Sequence, residues 1–206
     1  MHLLDIHTHN SNPSERIKIL NGYTAQTEGF CSVGIHPWEI DDNWESRFSF
    51  IAEVANRANV VAIGECGFDL VKSRATREVQ QEVFKQHIEL SESINKPIII
   101  HLVKGLELLL QLSKNSKHKQ AWIIHGFRGK PEQAKQLINA GMYISFGEKF
   151  NPEALKAIPL NRLFIESDES DIPIAEIYKS IADVLGLSLE QLALQVLENA
   201  KHCRVI

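Results

Sequence analysis

Residues 97–126, PIIIHLVKGLELLLQLSKNSKHKQAWIIHG, hold two short β-branched apolar runs, 97–102 and 121–126, on either side of an amphipathic stretch at 104–115. Each run is bounded by proline, glycine or polar residues and reads as a buried strand, while the leucine spacing between them reads as a helix lying on that sheet. Parallel strands need such a crossover, so the stretch predicts a β–α–β unit. Both strands end unusually, His101 following Ile100 and His125 following Ile124. An imidazole is an odd choice for packing there. It is a natural choice for a site assembled where parallel strands end.

The same alternation extends outward in both directions. Further strand runs lie at about 3–8, 17–20, 30–36, 60–66, 142–147 and 162–168, which makes eight. Helix patterns lie at 44–58, 75–94, 131–140 and 151–157, with two more at 173–185 and 188–199. Pro131 and Gly141 sit where a first-turn proline and a C-terminal glycine belong. Eight strands alternating with helices predict a (β/α)8 barrel of the TIM type, with its site at the C-terminal mouth. The first third departs from this plan. Only Asn10 to Arg16 separate His9 from the second run, and the next connection is also short. Neither can hold a full crossover helix, so the barrel is expected to be abridged after strands one and two. Some cover is needed over strands one to three, because large apolar patches are rarely left to water. The two C-terminal helices folding back beside strand one supply it in preference to a two-fold interface, which favours a monomer over a homodimer.

A chain of 206 residues with 23% charged residues is expected to form one domain over 1–206. The net charge of −4 gives no global attraction to nucleic acid, so a polyanion would need a local basic patch. Cys31, Cys66 and Cys203 are odd in number and lack CxxC spacing, which argues against a disulfide framework or a cysteine zinc knot. No secretory segment is evident, and no apolar stretch approaches the roughly 20 residues needed to cross a bilayer. The expectation is a soluble, cytoplasmic protein without a membrane partner.

Six potential metal ligands follow apolar runs: His7, His9, Glu65, His101, His125 and Asp168. His7 and His9 are two apart on a strand and so point to one side of it. The other four come from four further strands. Imidazoles mixed with carboxylates suit zinc, manganese, iron or nickel better than calcium, which prefers oxygen alone. Six groups exceed what one open catalytic ion uses, whereas two ions about 3.5–4 Å apart and bridged by a carboxylate accommodate them all. One or two divalent ions (Zn, Mn, Mg, Ni or Fe) are therefore expected, with Asp168 and Glu65 as catalytic carboxylates. Lys104, Arg128, Lys130 and Lys149 each follow a strand end closely and could form a cationic rim for phosphate, Arg128 above all. His36, before Pro37, is expected to contact substrate or to support the ligands. Neither a GxSxG elbow nor a phosphate-cradling glycine loop points to a serine or nucleotide site. His2, His87, His118 and His202 lie outside strand ends and receive no chemistry.

The motifs DIHTHN, GIHPW, GECGFDL, IIIHL, IIHGFRG, MYISFG and FIESD resemble, in order from residue 4 to 168, those of the TatD-like metal-dependent hydrolases of the amidohydrolase superfamily. The ending LENAKHCRVI resembles the family's C-terminal helix. The resemblance implies that His7, His9 and Asp168 hold one ion, that His101 and His125 hold the other, and that Glu65 lies between. It also implies metal-dependent nuclease chemistry on DNA. Three positions depart from the family: His101 is followed by Leu102 and Val103 instead of Ser-Arg, ESDES stands for ETDAP, and Gly147 replaces an asparagine. Altered substrate loops around retained ligands leave open a small phosphate or acyl substrate, cleaved as an ester, amide or lactone, or a metal-binding protein without turnover.

Overall fold

A computed structural model describes residues 3–10, 17–21, 29–116 and 118–206, with Ile17 and Lys18 described by backbone alone. Its strands are β1 (Leu4–Thr8), β2 (Ile17–Asn21), β3 (Cys31–Val33), β4 (Val60–Asp69), β5 (Ile98–Val103), β6 (Trp122–Ile124), β7 (Tyr143–Phe146) and β8 (Leu163–Ile165). They pair in chain order, every neighbour parallel. The seam between β8 and β1 is closed beyond the end of β8. There Asp168 forms a parallel bridge with Thr8, its N–H donating to the His7 carbonyl (3.0 Å) while its own carbonyl accepts from His9 N–H (3.1 Å). The eight strands thus make a nearly closed barrel, as the sequence pattern predicts.

The helices are α1 (Trp44–Val54), α2 (Arg77–Ile94), α3 (Leu106–Asn115), α4 (Pro131–Asn139), α5 (Pro152–Lys156), α6 (Ile174–Leu185) and α7 (Leu189–His202). Their ends are chemically marked. The Thr76 hydroxyl caps α2 by accepting from Val79 N–H, and Asn95 ends it in the left-handed conformation (φ 57°) that asparagine tolerates. Ser188 and Gln191 form a reciprocal capping box at the start of α7. The strands are buried in an apolar core, with Ile6, Ile19, Val33, Ile63, Ile100, Ile124, Ile144 and Ile165 all essentially inaccessible. No single helix is long and apolar enough to cross a membrane.

Two expectations need refinement. The strand boundaries shift most at β4, which continues to Asp69 and places Glu65 inside the strand instead of at its end. Gly64 and Gly67 explain how, since a Cβ on either would strike the carbonyl oxygen of Ile99 or His101 on β5. Their bare backbones let the two strands run close together, which brings His101, itself two residues short of the end of β5, beside Glu65. The expected loss of helices after β1 and β2 falls mostly on residues 11–16 and 22–28, outside the described residues. Cover from within the chain is visible for β1 and β8. α7 packs on both strands, Asn199 donates to the carbonyls of Leu160 and Leu163 (2.8 Å each), and the Tyr178 hydroxyl on α6 donates to the Leu4 carbonyl (2.7 Å).

His87 has a structural role that its position in the sequence does not signal. Fully buried on α2, its Nδ1 donates to the Val83 carbonyl (2.7 Å) and its Nε2 accepts from Ile35 N–H (3.0 Å), next to His36. That pairing is complete for a neutral ring. Burial pushes its pKa down from 6.5 to about 4. Because the unfolded chain takes up this proton first, stability should fall as pH drops below about 6.5 and level off below about 4. By pH 5 the loss should be about 2 kcal/mol. We expect the change in stability from pH 7 to pH 5, read by urea unfolding in EDTA, to be less favourable by about 2 kcal/mol in the wild type than in His87→Gln, which can keep both hydrogen bonds without titrating. Equal losses in the two proteins would show that His87 does not set the slope.

Candidate metal centre

Glu65 is the centre of the site, and its two carboxylate oxygens face different partners. Oε2 lies 3.2 Å from His7 Nε2 and 3.6 Å from His9 Nε2. Oε1 lies 2.7 Å from His101 Nδ1, 2.6 Å from His125 Nε2 and 3.3 Å from His36 Nε2. Asp168 Oδ1 completes the first set, 3.8 Å from His7 Nε2 and 3.7 Å from His9 Nε2. All six expected ligands therefore converge, from β1, β4 and β5 and from the segments just after β1, β6 and β8.

Three groupings of donor atoms are tight enough to hold an ion: His7 with His9 and Glu65, His7 with His125 and Asp168, and His36 with Glu65 and His101. His36 is thus placed among the donors, closer to the centre than a substrate contact on a loop would be. Lys104 is not drawn in. It is exposed, with a left-handed φ of 59°, and lines neither cavity at the mouth. Arg128 lines a cavity of about 270 Å³ beside Asp168, together with Lys149, Glu148 and Glu169.

Several buried or half-buried polar groups that the sequence reading did not single out hold these ligands in place. Asn21, at the end of β2, accepts from Glu65 N–H through Oδ1 (3.0 Å) and donates to Glu65 Oε2 through Nδ2 (3.3 Å). Asp69 sits 3.4 Å from His101 Nε2, on the side of the ring away from Glu65, and accepts from Trp38 Nε1–H (2.6 Å) and from Val71 and Lys72 N–H (2.9 Å each). Glu166 lies 3.4 Å from His125 Nδ1 and accepts from Gly126 N–H. Carboxylates behind metal-binding imidazoles fix ring orientation and raise ligand basicity. Asp5 accepts from Ser167 N–H (2.9 Å) and from its hydroxyl (2.6 Å), anchoring the turn that carries Asp168. The signal was present for three of them, since Asp5, Asp69 and Glu166 are carboxylates embedded in otherwise apolar strand motifs.

Whether this donor set fits a metal can be judged from its unpaired atoms. His7 is completely buried, yet neither ring nitrogen makes an aligned hydrogen bond, Nε2 meeting only the Glu65 carboxylate at 3.2 Å, and His125 Nδ1 likewise lacks an aligned partner. Orphaned buried nitrogens are uncommon in proteins. A cation beside Glu65 would satisfy the nitrogen that faces it, His7 Nε2.

Electrostatics points the same way. Burial works to raise the pKa of Glu65, but His125 and hydrogen bonds from His101, His125 and His36 hold it well below the usual range. Burial works to lower that of His125, and Glu65 and Glu166 overcome it and push it well above 6.5. Hydrogen bonding to Glu65 also raises His9. Without a metal the carboxylates are thus countered by protons on imidazole, which an entering cation must displace. Metal affinity should therefore rise with pH, with net proton release on binding. Calorimetric titration with Zn²⁺ or Mn²⁺ at one pH, in two buffers of different ionisation enthalpy, measures that release. Identical apparent enthalpies would refute it.

This chain matches the TatD related DNase family over residues 4–203. It belongs to that family. It is 30% identical to the uncharacterized metal-dependent hydrolase YabD of Bacillus subtilis, over 84% of this chain and 76% of that protein. It is 32% identical to a putative deoxyribonuclease TATDN1 homolog of Enterocytozoon bieneusi, over 74% of this chain and 58% of that protein. In fold it is similar to the crystal structure of the TatD homolog YjjV of Escherichia coli, with a TM-score of 0.83, 20% identity and coverage of 99% and 98% of the two chains. The TatD-type chain described here is accordingly a metal-dependent hydrolase, with His/Glu/Asp clusters able to bind metal.

Proposed function

We propose that this TatD-family hydrolase cleaves phosphodiester bonds of nucleic acid, with the six ligands and His36 around Glu65 as its metal centre. The observation that carries this reading is the junction of two features at Asp168. On one side is the Glu65-centred donor set, and on the other the cavity lined by Arg128 and Lys149. Bidentate guanidinium and point-charge ammonium groups there suit phosphate oxygens. The deoxyribonuclease names of the family and of one relative agree with it.

Divalent ions, when bound, lower the pKa of water and neutralise charge developing on phosphate oxygens. The protein's own groups supply the rest. His7, His9 and Asp168 would hold one ion and His101, His125 and His36 the other, with Glu65 shared between the two sets. Asp168 accepts the proton of the attacking water, and Arg128 and Lys149 orient the phosphate chain. Glu148, which accepts from the Ser170 hydroxyl (2.8 Å), and Glu169 give the same cavity a mixed charge, so Arg128 and Lys149 act locally.

The test is a panel of substrates with added Mn²⁺, Mg²⁺, Co²⁺ or Zn²⁺: single- and double-stranded DNA, simple phosphodiesters, and carboxylic esters, amides and lactones. Cleavage of DNA that falls in Arg128→Ala supports the proposal. Turnover confined to acyl substrates, or metal binding with no turnover, overturns it.

A further inference from the structure

The cavity that holds the metal ligands has one wall of a different kind. It encloses about 350 Å³, and its lining residues include His9, Asn21, His36, Glu65, His101 and Trp38. Among the described residues Trp38 is the single large apolar side chain lining it, and it is 46% exposed. Trp122, by contrast, is fully buried in the core.

The indole is also held still. Its Nε1–H donates to Asp69 Oδ2 (2.6 Å), and the ring of His36 meets it edge-on with centroids 4.7 Å apart. Lys72 Nζ rests over the ring at 4.6 Å from its centroid, so the π face accepts a cation in the free protein. A rigid aromatic face beside a reaction centre loses little entropy on receiving a flat group.

We propose that Trp38 is a base-stacking platform, receiving an unpaired nucleobase next to the scissile phosphate, and that the substrate it favours is single-stranded. This deepens the phosphodiester reading and rests on it for the identity of the flat group. A base inside a duplex has both faces covered by its neighbours and cannot lie on the indole, whereas a base in a single strand can.

The test separates stacking from catalysis by measuring binding. In an Asp168→Asn background, which removes the proposed proton acceptor, the probe is a fluorescein-labelled single-stranded oligothymidylate. It is compared with the same backbone carrying tetrahydrofuran abasic sites, by fluorescence anisotropy with Mn²⁺ present. Stacking is worth roughly a tenfold preference for the strand with bases. Trp38→Leu should abolish that preference by weakening binding of the base-bearing strand alone. Trp38→Phe keeps a stacking face, loses the hydrogen bond to Asp69 and should retain most of the preference. Equal binding of the two strands by the Trp38-containing protein, no measurable binding of either, or a preference that survives in Trp38→Leu would each overturn the inference. A Trp38-dependent preference in a protein whose wild type cleaves no nucleic acid would leave the platform standing and overturn the phosphodiester reading instead.

Discussion

Glu65→Gln is expected to empty the site of at least one ion, and to lower turnover by about a thousandfold, the scale of losing a principal electrostatic element at a reaction centre. The reason lies in how its carboxylate is divided. Oε2 faces His7 and His9, and Oε1 faces His101, His125 and His36. A glutamine amide retains one oxygen, and its NH₂ has no lone pair to offer a cation. Either orientation of the amide therefore disables one of the two donor sets. Asn21 biases the choice, because its Nδ2 donates to the Oε2 position and prefers an oxygen there. The ion near His101 should be the one lost. His101→Ala removes one donor from that set and leaves the Glu65 carboxylate whole. Excess metal should therefore partly restore His101→Ala and fail to restore Glu65→Gln. Elemental analysis after dialysis, with turnover measured across a metal titration, checks both. A Glu65→Gln protein with the wild-type metal content would remove Glu65 from between the ions.

The contrast between these variants follows from what periodicity can and cannot convey. Strand and helix order was readable because most strands are short apolar runs and the helices amphipathic ones, and the imidazoles after Ile6, Ile100 and Ile124 interrupt that pattern visibly. Glu65 was readable as a candidate but not as the hub, because its position inside β4 depends on how closely β5 approaches across Gly64 and Gly67. His36 lacked a sequence neighbour to betray it, yet its Nε2 comes within 3.3 Å of both Glu65 and His101 because β3 lies beside β4. Asn21 shows the limit most clearly. A polar residue ending a short strand is ordinary, and only the β2–β3–β4 pairing brings it against Glu65. Periodicity reports which residues face inward, whereas contacts between strands forty residues apart depend on register.

Asp168→Asn is expected to separate chemistry from metal binding and from folding more cleanly than any other change at the site. Asp168 has three roles in the structure. Its carboxylate faces His7 and His9, its backbone closes the barrel seam to β1, and it adopts a left-handed backbone with φ 53°. Asparagine tolerates that conformation, whereas alanine there would be strained by roughly 1–2 kcal/mol at the seam itself. With asparagine the hydrogen bonds to His7 and His9 persist, and stability measured in EDTA should match the wild type to within about 0.5 kcal/mol. An amide oxygen still coordinates weakly, so at least one ion should remain. What is lost is the capacity to accept a proton from the attacking water, a role worth roughly 10²–10⁴ in rate. Turnover at saturating metal should fall by that amount, with little change in KM because Arg128 and Lys149 are untouched. Full turnover in Asp168→Asn would exclude it as the base and move that role to another carboxylate at the mouth. Glu169 follows it directly in the chain and lines both cavities, so the double variant Asp168→Asn, Glu169→Gln then becomes the decisive comparison.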